Sequence, residues 1–153
     1  MLLVAGAFIS FFLILSLTEA QAQLTKEELQ RMYLNHLSSE GFSGEIDEDG
    51  DIKFKYEGRT FYINVTDDEI FFRMMLPNIL VIEKSEQLAL ALIACNYASE
   101  RTKVCKAYII KNERVWLSFE SYIPKPQDFK QIFTRALSAM QTCLNYFKEK
   151  YNQ

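Results

Sequence analysis

The chain has 153 residues, of which 49% are apolar and 24% charged, and its formal charge at neutral pH is -3. This is the size and composition of one globular domain with an adequate core, and the lack of a basic stripe excludes nucleic acid as a partner. Aromatic residues reach 14%, with 12 Phe and 8 Tyr, so either the core is densely filled or some of the surface is adhesive.

Leu2 to Leu17 is a continuous run of apolar and small residues, followed by Thr18, Glu19 and the small-residue sequence Ala20-Gln21-Ala22. That is the outline of a secretory signal peptide cut before Gln23, and the run falls short of the roughly 20 residues that span a bilayer. No Lys or Arg lies near Met1, so a retained anchor stays open beside a cleaved leader. The reading adopted is a signal peptide over residues 1–22 and a domain over 23–153, secreted or periplasmic in a bacterial envelope, with no membrane contact after cleavage.

A helix is expected just past the cut. Thr25 and Glu28 form a capping box, and Leu24 and Leu29 a hydrophobic staple around it. Leu29, Met32, Tyr33, His36 and Leu37 mark its buried stripe, and Gly41 suits its C-terminal cap. Phe42 to Val65 then alternates apolar and polar residues, the pattern of an antiparallel meander packed on one face. A three-residue Glu48-Asp49-Gly50 loop pairs Gly44 with Phe54 and Ile46 with Ile52, with Gly50 at positive φ. A two-residue Glu57-Gly58 loop pairs Phe54 with Phe61 and Ile52 with Ile63. A slip of one residue would turn either strand inside out.

Glu69 to Met75 reads as a fourth strand, with Ile70, Phe72 and Met74 on one face and Phe71, Arg73 and Met75 on the other. Leu76-Pro77-Asn78 is expected to end it. Ser85, or a neighbour, starts a second helix to about Ser99 that is apolar on every side from Leu88 to Cys95, so something must cover it all round. Lys103 to Ile110 and Val115 to Ile123 form a last hairpin. A loop with an odd number of residues puts Cys105, Ala107 and Ile109 on one face with Val115, Leu117 and Phe119, and buries no lysine; Trp116, Tyr108 and Tyr122 then lie opposite. Pro124 and Pro126 close the strand, and from Phe129 to Phe147 an amphipathic helix follows.

This order resembles that of the YbjN family, whose fold is similar to type III secretion chaperones. The residues that carry the resemblance are Gly41-Phe42-Ser43, the Asp47-Glu48-Asp49-Gly50-Asp51 turn followed by Ile52 and Phe54, Glu57-Gly58-Arg59 followed by Phe61, and Asn96 ahead of Lys103-Val104. It spans about residues 25 to 150. It implies an α+β domain, an antiparallel sheet (meander plus hairpin) packed with three helices, serving as an interaction module with no catalytic residues to carry over.

Several motifs have a plainer structural reading. Asp47, Asp49 and Gly50 could open a calcium loop, but Tyr56 would occupy the twelfth position, where a bidentate Glu belongs, so a hairpin turn is the better reading. His36 is the only histidine and lies on an apolar stripe, which leaves a metal site or a triad nothing to recruit. No nucleophile elbow, P-loop or C-x-x-C occurs. Neither a catalytic residue, a metal nor a cofactor is expected. Cys95, Cys105 and Cys143 read as buried apolar residues; if two of them bridge, Cys95 and Cys105 are the nearer pair in sequence. Asn64-Val65-Thr66 is a glycosylation sequon that matters only in a eukaryotic secretory pathway.

The functional expectation is an exported, non-enzymatic module that binds an unidentified protein or peptide, chaperone-like or related to envelope stress, through Tyr62, Phe71, Arg73 and Met75. A second expectation is a homodimer through Leu90, Ile93 and Tyr97, withdrawing roughly 300 to 400 Å² of apolar surface per subunit, or several kcal/mol at ~25 cal/mol per Å² before association entropy. The alternative is a small-ligand-binding or enzymatic cone of cystatin-like or NTF2-like form, for which a deep cavity lined by Tyr33, His36 and Tyr56 would speak.

Overall fold

A computed structural model describes residues 23–153, and the leader assigned to 1–22 lies outside them. The chain forms α1 (Lys26–Ser39), β1 (Gly44–Ile46), β2 (Ile52–Tyr56), β3 (Arg59–Ile63), β4 (Phe71–Val81), α2 (Ser85–Arg101), β5 (Cys105–Ile110), β6 (Arg114–Tyr122), a 3-10 turn (Pro126–Asp128) and α3 (Phe129–Tyr151). The six strands make one antiparallel sheet in the order β1-β2-β3-β4-β6-β5. The architecture is α+β. All three helices pack on one face of the sheet and share a single core with it.

The capping box closes as the sequence requires, with Glu28 N donating to Thr25 Oγ1 at 3.2 Å and Thr25 N to Glu28 Oε2 at 2.8 Å. Both hairpin registers of the meander are those read from the alternation. Gly50 has φ +85°, and the Glu57-Gly58 turn has φ 49° and 71°, the left-handed pair that a two-residue hairpin favours. In the last hairpin a three-residue loop, 111–113, sets Cys105 opposite Phe119, Ala107 opposite Leu117 and Ile109 opposite Val115. Phe61, Ile52, Phe72, Phe129 and Phe133 are wholly buried where the sheet meets α1 and α3. Each such side chain contributes about 1.5–3 kcal/mol by leaving water.

The structure corrects two expectations. β4 does not end at Leu76-Pro77-Asn78 but runs to Val81, because Leu76 pairs with Leu117 and Leu80 with Val115 and the residues between form a bulge. A bulge needs no ladder N–H from Pro77, and Asn78 takes φ 55° there. Ile46 and Ile70, assigned to the core face, are 48% and 40% exposed, since one ends the edge strand and the other precedes β4. α2 starts at Ser85 with the neighbouring Lys84 as its N-cap, as the sequence allows, and Gln87 Oε1 accepts from Glu83 N at 2.8 Å and Lys84 N at 3.0 Å. On α2, one side is covered from within and the other is the side the sequence leaves for a further helix or a second subunit. Ala91, Ala94, Cys95 and Ala98 are buried against α3 and β5, whereas Leu90, Leu92 and Ile93 are 49%, 55% and 54% exposed.

The two sheet edges are protected differently. β1 is only three residues long. β5 is screened by α2, where Ser99 Oγ accepts from Ala107 N at 2.9 Å and also lies 3.3 Å from Ala107 O, filling the place a seventh strand would take.

Candidate functional site

Because every helix lies on one face, the other face of the sheet is left open among the described residues. Alternation along β2, β3, β4, β6 and β5 brings Lys53, Tyr62, Met75, Ser118 and Lys106 into one row across it, since each is the cross-strand partner of the next. Phe71 and Tyr122 pair in another row, with rings 5.3 Å apart, and Trp116 pairs with Tyr108. Tyr122 is 73% exposed, Tyr62, Phe71, Tyr108 and Trp116 are half-buried, and Met75 is buried at 7% by its neighbours on the same face.

Ion pairs hold the middle of this face. Arg73 Nε lies 3.1 Å from Glu120 Oε1, Arg73 Nη2 donates to the Tyr108 hydroxyl at 3.0 Å, and Lys106 Nζ donates to Glu120 Oε2 at 2.7 Å. Ser118 Oγ donates to Glu120 Oε1 at 3.0 Å. Partial burial alone would raise the Glu120 pKa, but the hydrogen bonds from Lys106 and Ser118 and the charges of Lys106 and Arg73 outweigh it and hold the carboxyl below its usual range. Arg73 is therefore neutralised within the sheet. It presents its guanidinium plane and stem to the surface more than a free charge.

Two hollows flank Tyr62. The larger, about 530 Å³, is bordered by Lys53, Lys55, Thr60 and Glu45, and its cations are already partnered: Lys53 Nζ lies 3.3 Å from Glu45 and Lys55 Nζ donates to Thr60 Oγ1 at 2.8 Å. The smaller, about 250 Å³, lies between the β1–β2 loop and the β4 bulge. Asp47, Asp49 and Asp51 form its rim, with Tyr62, Met75 and Trp116 as aromatic and thioether walls. The bulge opens it, because Leu76 and Leu80 take the partners on either side of Trp116 and leave that indole unopposed on β4. Trp116 Nε1 is shielded from water without an acceptor.

The acidic loop is a hairpin turn held by its own carboxylates. Asp47 Oδ1 accepts from Asp49 N at 3.0 Å and Asp51 N at 2.9 Å. Asp51 Oδ1 accepts from Val65 N at 2.8 Å and Asn64 Nδ2 at 2.9 Å, with Oδ2 3.1 Å from the same nitrogen. The nitrogen that a glycan would require is thus committed to Asp51, which works against the sequon. From α1, Gln30 Nε2 donates to Gly50 O at 2.8 Å and Lys26 Nζ to Asp49 O at 3.2 Å, fixing the loop to the helix layer.

The space where a cone-shaped fold would keep its cavity is filled. Tyr33 is 1% exposed and packs edge-on to Phe129 at 4.7 Å, and burial raises its pKa. His36 packs edge-on to both Phe129 and Phe133, at 4.9 and 5.0 Å. Burial lowers its pKa, with Glu40 opposing that shift and Lys130 adding to it. Tyr56 lies against Phe42 and Phe61.

The three cysteines are free and buried. The neighbouring Cys143 and burial push the Cys105 pKa up, and burial, with the Cys143 charge adding to it, pushes Cys95 to about 12. Of the residues assigned to a dimer contact, Leu90 and Ile93 lie exposed, and Ala89 and Leu92 join them on the outer side of α2. Tyr97 turns toward α3, where its hydroxyl donates to Glu149 at 3.0 Å, its ring meets Tyr146 at 6.1 Å, and the Arg101 guanidinium covers it at 4.1 Å.

Comparison of the chain with family models, with curated proteins and with solved structures returned no match.

Proposed function

We propose that the mature chain, residues 23–153, is an exported, non-enzymatic module of the bacterial envelope that holds a protein or peptide against the open face of its sheet, in a chaperone-like or envelope-stress role. One observation carries this reading: Tyr62, Phe71, Tyr108, Trp116 and Tyr122 stand together on a face that no helix covers among the described residues. Rigid aromatic rings give large contact area at little conformational entropy, and an internally neutralised ion-pair cluster keeps such a face wettable until a partner arrives. The resemblance to the YbjN family supports the same reading.

The test is photocrosslinking in the native envelope from a reactive side chain placed at Phe71 or Tyr122, with Ser138 on the exposed side of α3 as control. Adducts confined to the two sheet positions support the reading. Adducts equal at all three positions, or found only at Ser138, would overturn it. The exposed Leu90, Leu92 and Ile93 favour a second contact, homodimerisation through α2.

A further inference from the structure

The smaller hollow on the open face has the chemistry of a receptor for one positive charge. Asp47, Asp49 and Asp51 converge on its rim, and none of the three carboxylates takes part in an ion pair among the described residues. Lys26, the lysine that reaches this loop, meets the Asp49 backbone carbonyl, and Arg114 touches the far side only at Asn78 Oδ1, 3.5 Å away. The neighbouring hollow, by contrast, has already matched its charges, Lys53 with Glu45. Tyr62, Trp116 and the Met75 thioether line the same hollow, and aromatic rings beside carboxylates favour a cation. About 250 Å³ falls below the 300–1,000 Å³ usual for a small-molecule site, and suits a single long side chain.

We propose that this hollow takes the ammonium or guanidinium head of a lysine or arginine from a partner polypeptide lying on the open face. The proposal rests on the reading of that face as a polypeptide-binding surface and names the partner's chemistry: a basic residue among apolar neighbours. The apolar neighbours fall on Tyr62 and Phe71, while the charged head is set against the acidic rim. Asp49 has the most freedom to meet it. Asp47 and Asp51 spend carboxylate oxygens on the loop and on β3, whereas the exposed Asp49 side chain makes no hydrogen bond within the loop.

Trp116 is the sole tryptophan, so its indole resonance reports on the hollow directly. The domain would be titrated with the blocked pentapeptide Leu-Ala-Lys-Ala-Leu, with its arginine and norleucine counterparts, and with n-butylammonium alone. Saturable shifts of the Trp116 signal by the lysine and arginine peptides, absent with norleucine and about tenfold weaker in Asp49→Asn, are the expected result. Equal binding of the norleucine peptide overturns the preference for a cation and leaves the open-face reading standing. Butylammonium binding as tightly as the lysine peptide overturns the polypeptide as the source of the charge. If no peptide shifts Trp116, Tyr62 or Phe71, the proposal and the reading beneath it both fail. Asp49→Asn keeps the loop hydrogen bonds, so an unchanged affinity in a variant with an unaltered melting temperature also overturns the proposal.

Discussion

The outer side of α2 and the open face of the sheet both leave large apolar side chains in water, but with different chemistry. On α2 the exposed residues are aliphatic, Leu90, Leu92 and Ile93, each about half accessible. On the sheet they are aromatic and interleaved with the Arg73–Glu120–Lys106 cluster, and Met75 among them is nearly as buried as a core residue. An aliphatic ridge suits a lasting contact with an identical ridge, where the fully buried centre of an interface is more apolar than its rim. An aromatic face laced with polar groups suits a partner that comes and goes. The lesson is that exposure alone does not define a binding surface; what stands between the exposed residues decides the kind of partner.

The largest expected effect separates the two surfaces. Ile93→Glu should abolish self-association at every concentration in sedimentation velocity while leaving the melting temperature nearly unchanged, within about 0.5 kcal/mol, because the position is exposed in the monomer. A wild-type chain that sediments as a monomer throughout, or a dimer indifferent to this charge, would remove α2 from the comparison. On the sheet the expectation is reversed. Met75→Ala should lower stability by about 2–3 kcal/mol in chemical denaturation, although the residue lies on the open face, because its side chain fills the space between Tyr62 and the ion-pair cluster. A loss below about 0.5 kcal/mol would mean that the face is a loose coating and not a second small core.

How far the sequence reveals these surfaces depends on how local the encoding is. The meander is legible because alternation and turn residues specify the same registers, and Gly50 and Gly58 fall where the turns need them. The last hairpin is legible through a single energetic choice, that Lys106 should not be buried. β4 is misread at Pro77 because a bulge and a strand end use the same residues, and only the partner strand distinguishes them. The insertion of β6 between β4 and β5 is a tertiary fact with no local pattern. The acidic hollow depends on both: Asp47, Asp49 and Asp51 read as a turn, and nothing in their spacing brings them to Tyr62 and Trp116.

A smaller effect probes the loop that joins the two layers beside the hollow. Gly50→Val should cost about 1–2 kcal/mol, since φ +85° is strained for a β-branched residue. A Cβ there would also meet Lys26 Nζ at 2.5 Å, but that lysine end can swing aside, so the backbone dominates. Lys26→Ala in the same background therefore should not restore stability. Restoration would show that the clash, and not the conformation, sets the penalty.

The smallest effect is that of acid, and it divides the molecule along the same line. The His36 pKa is lowered by burial, so its contribution is complete above its ordinary value of 6.5. As pH falls below 6.5, the unfolded chain takes up a proton that the folded chain resists, and stability declines. The Glu120 pKa is also lowered, so what its ion pairs contribute is complete above its ordinary value of 4.5 and is lost as pH falls through the folded value. Stability should therefore fall in two stages on acidification, the first removed by His36→Phe and the second by Glu120→Gln. Leu90, Leu92 and Ile93 carry no titratable group, so self-association measured from pH 7 to 6 should stay constant while the first stage is already under way. A dimer that weakens in step with the His36 stage would tie the ridge to the core beneath it and dissolve the distinction between the two surfaces.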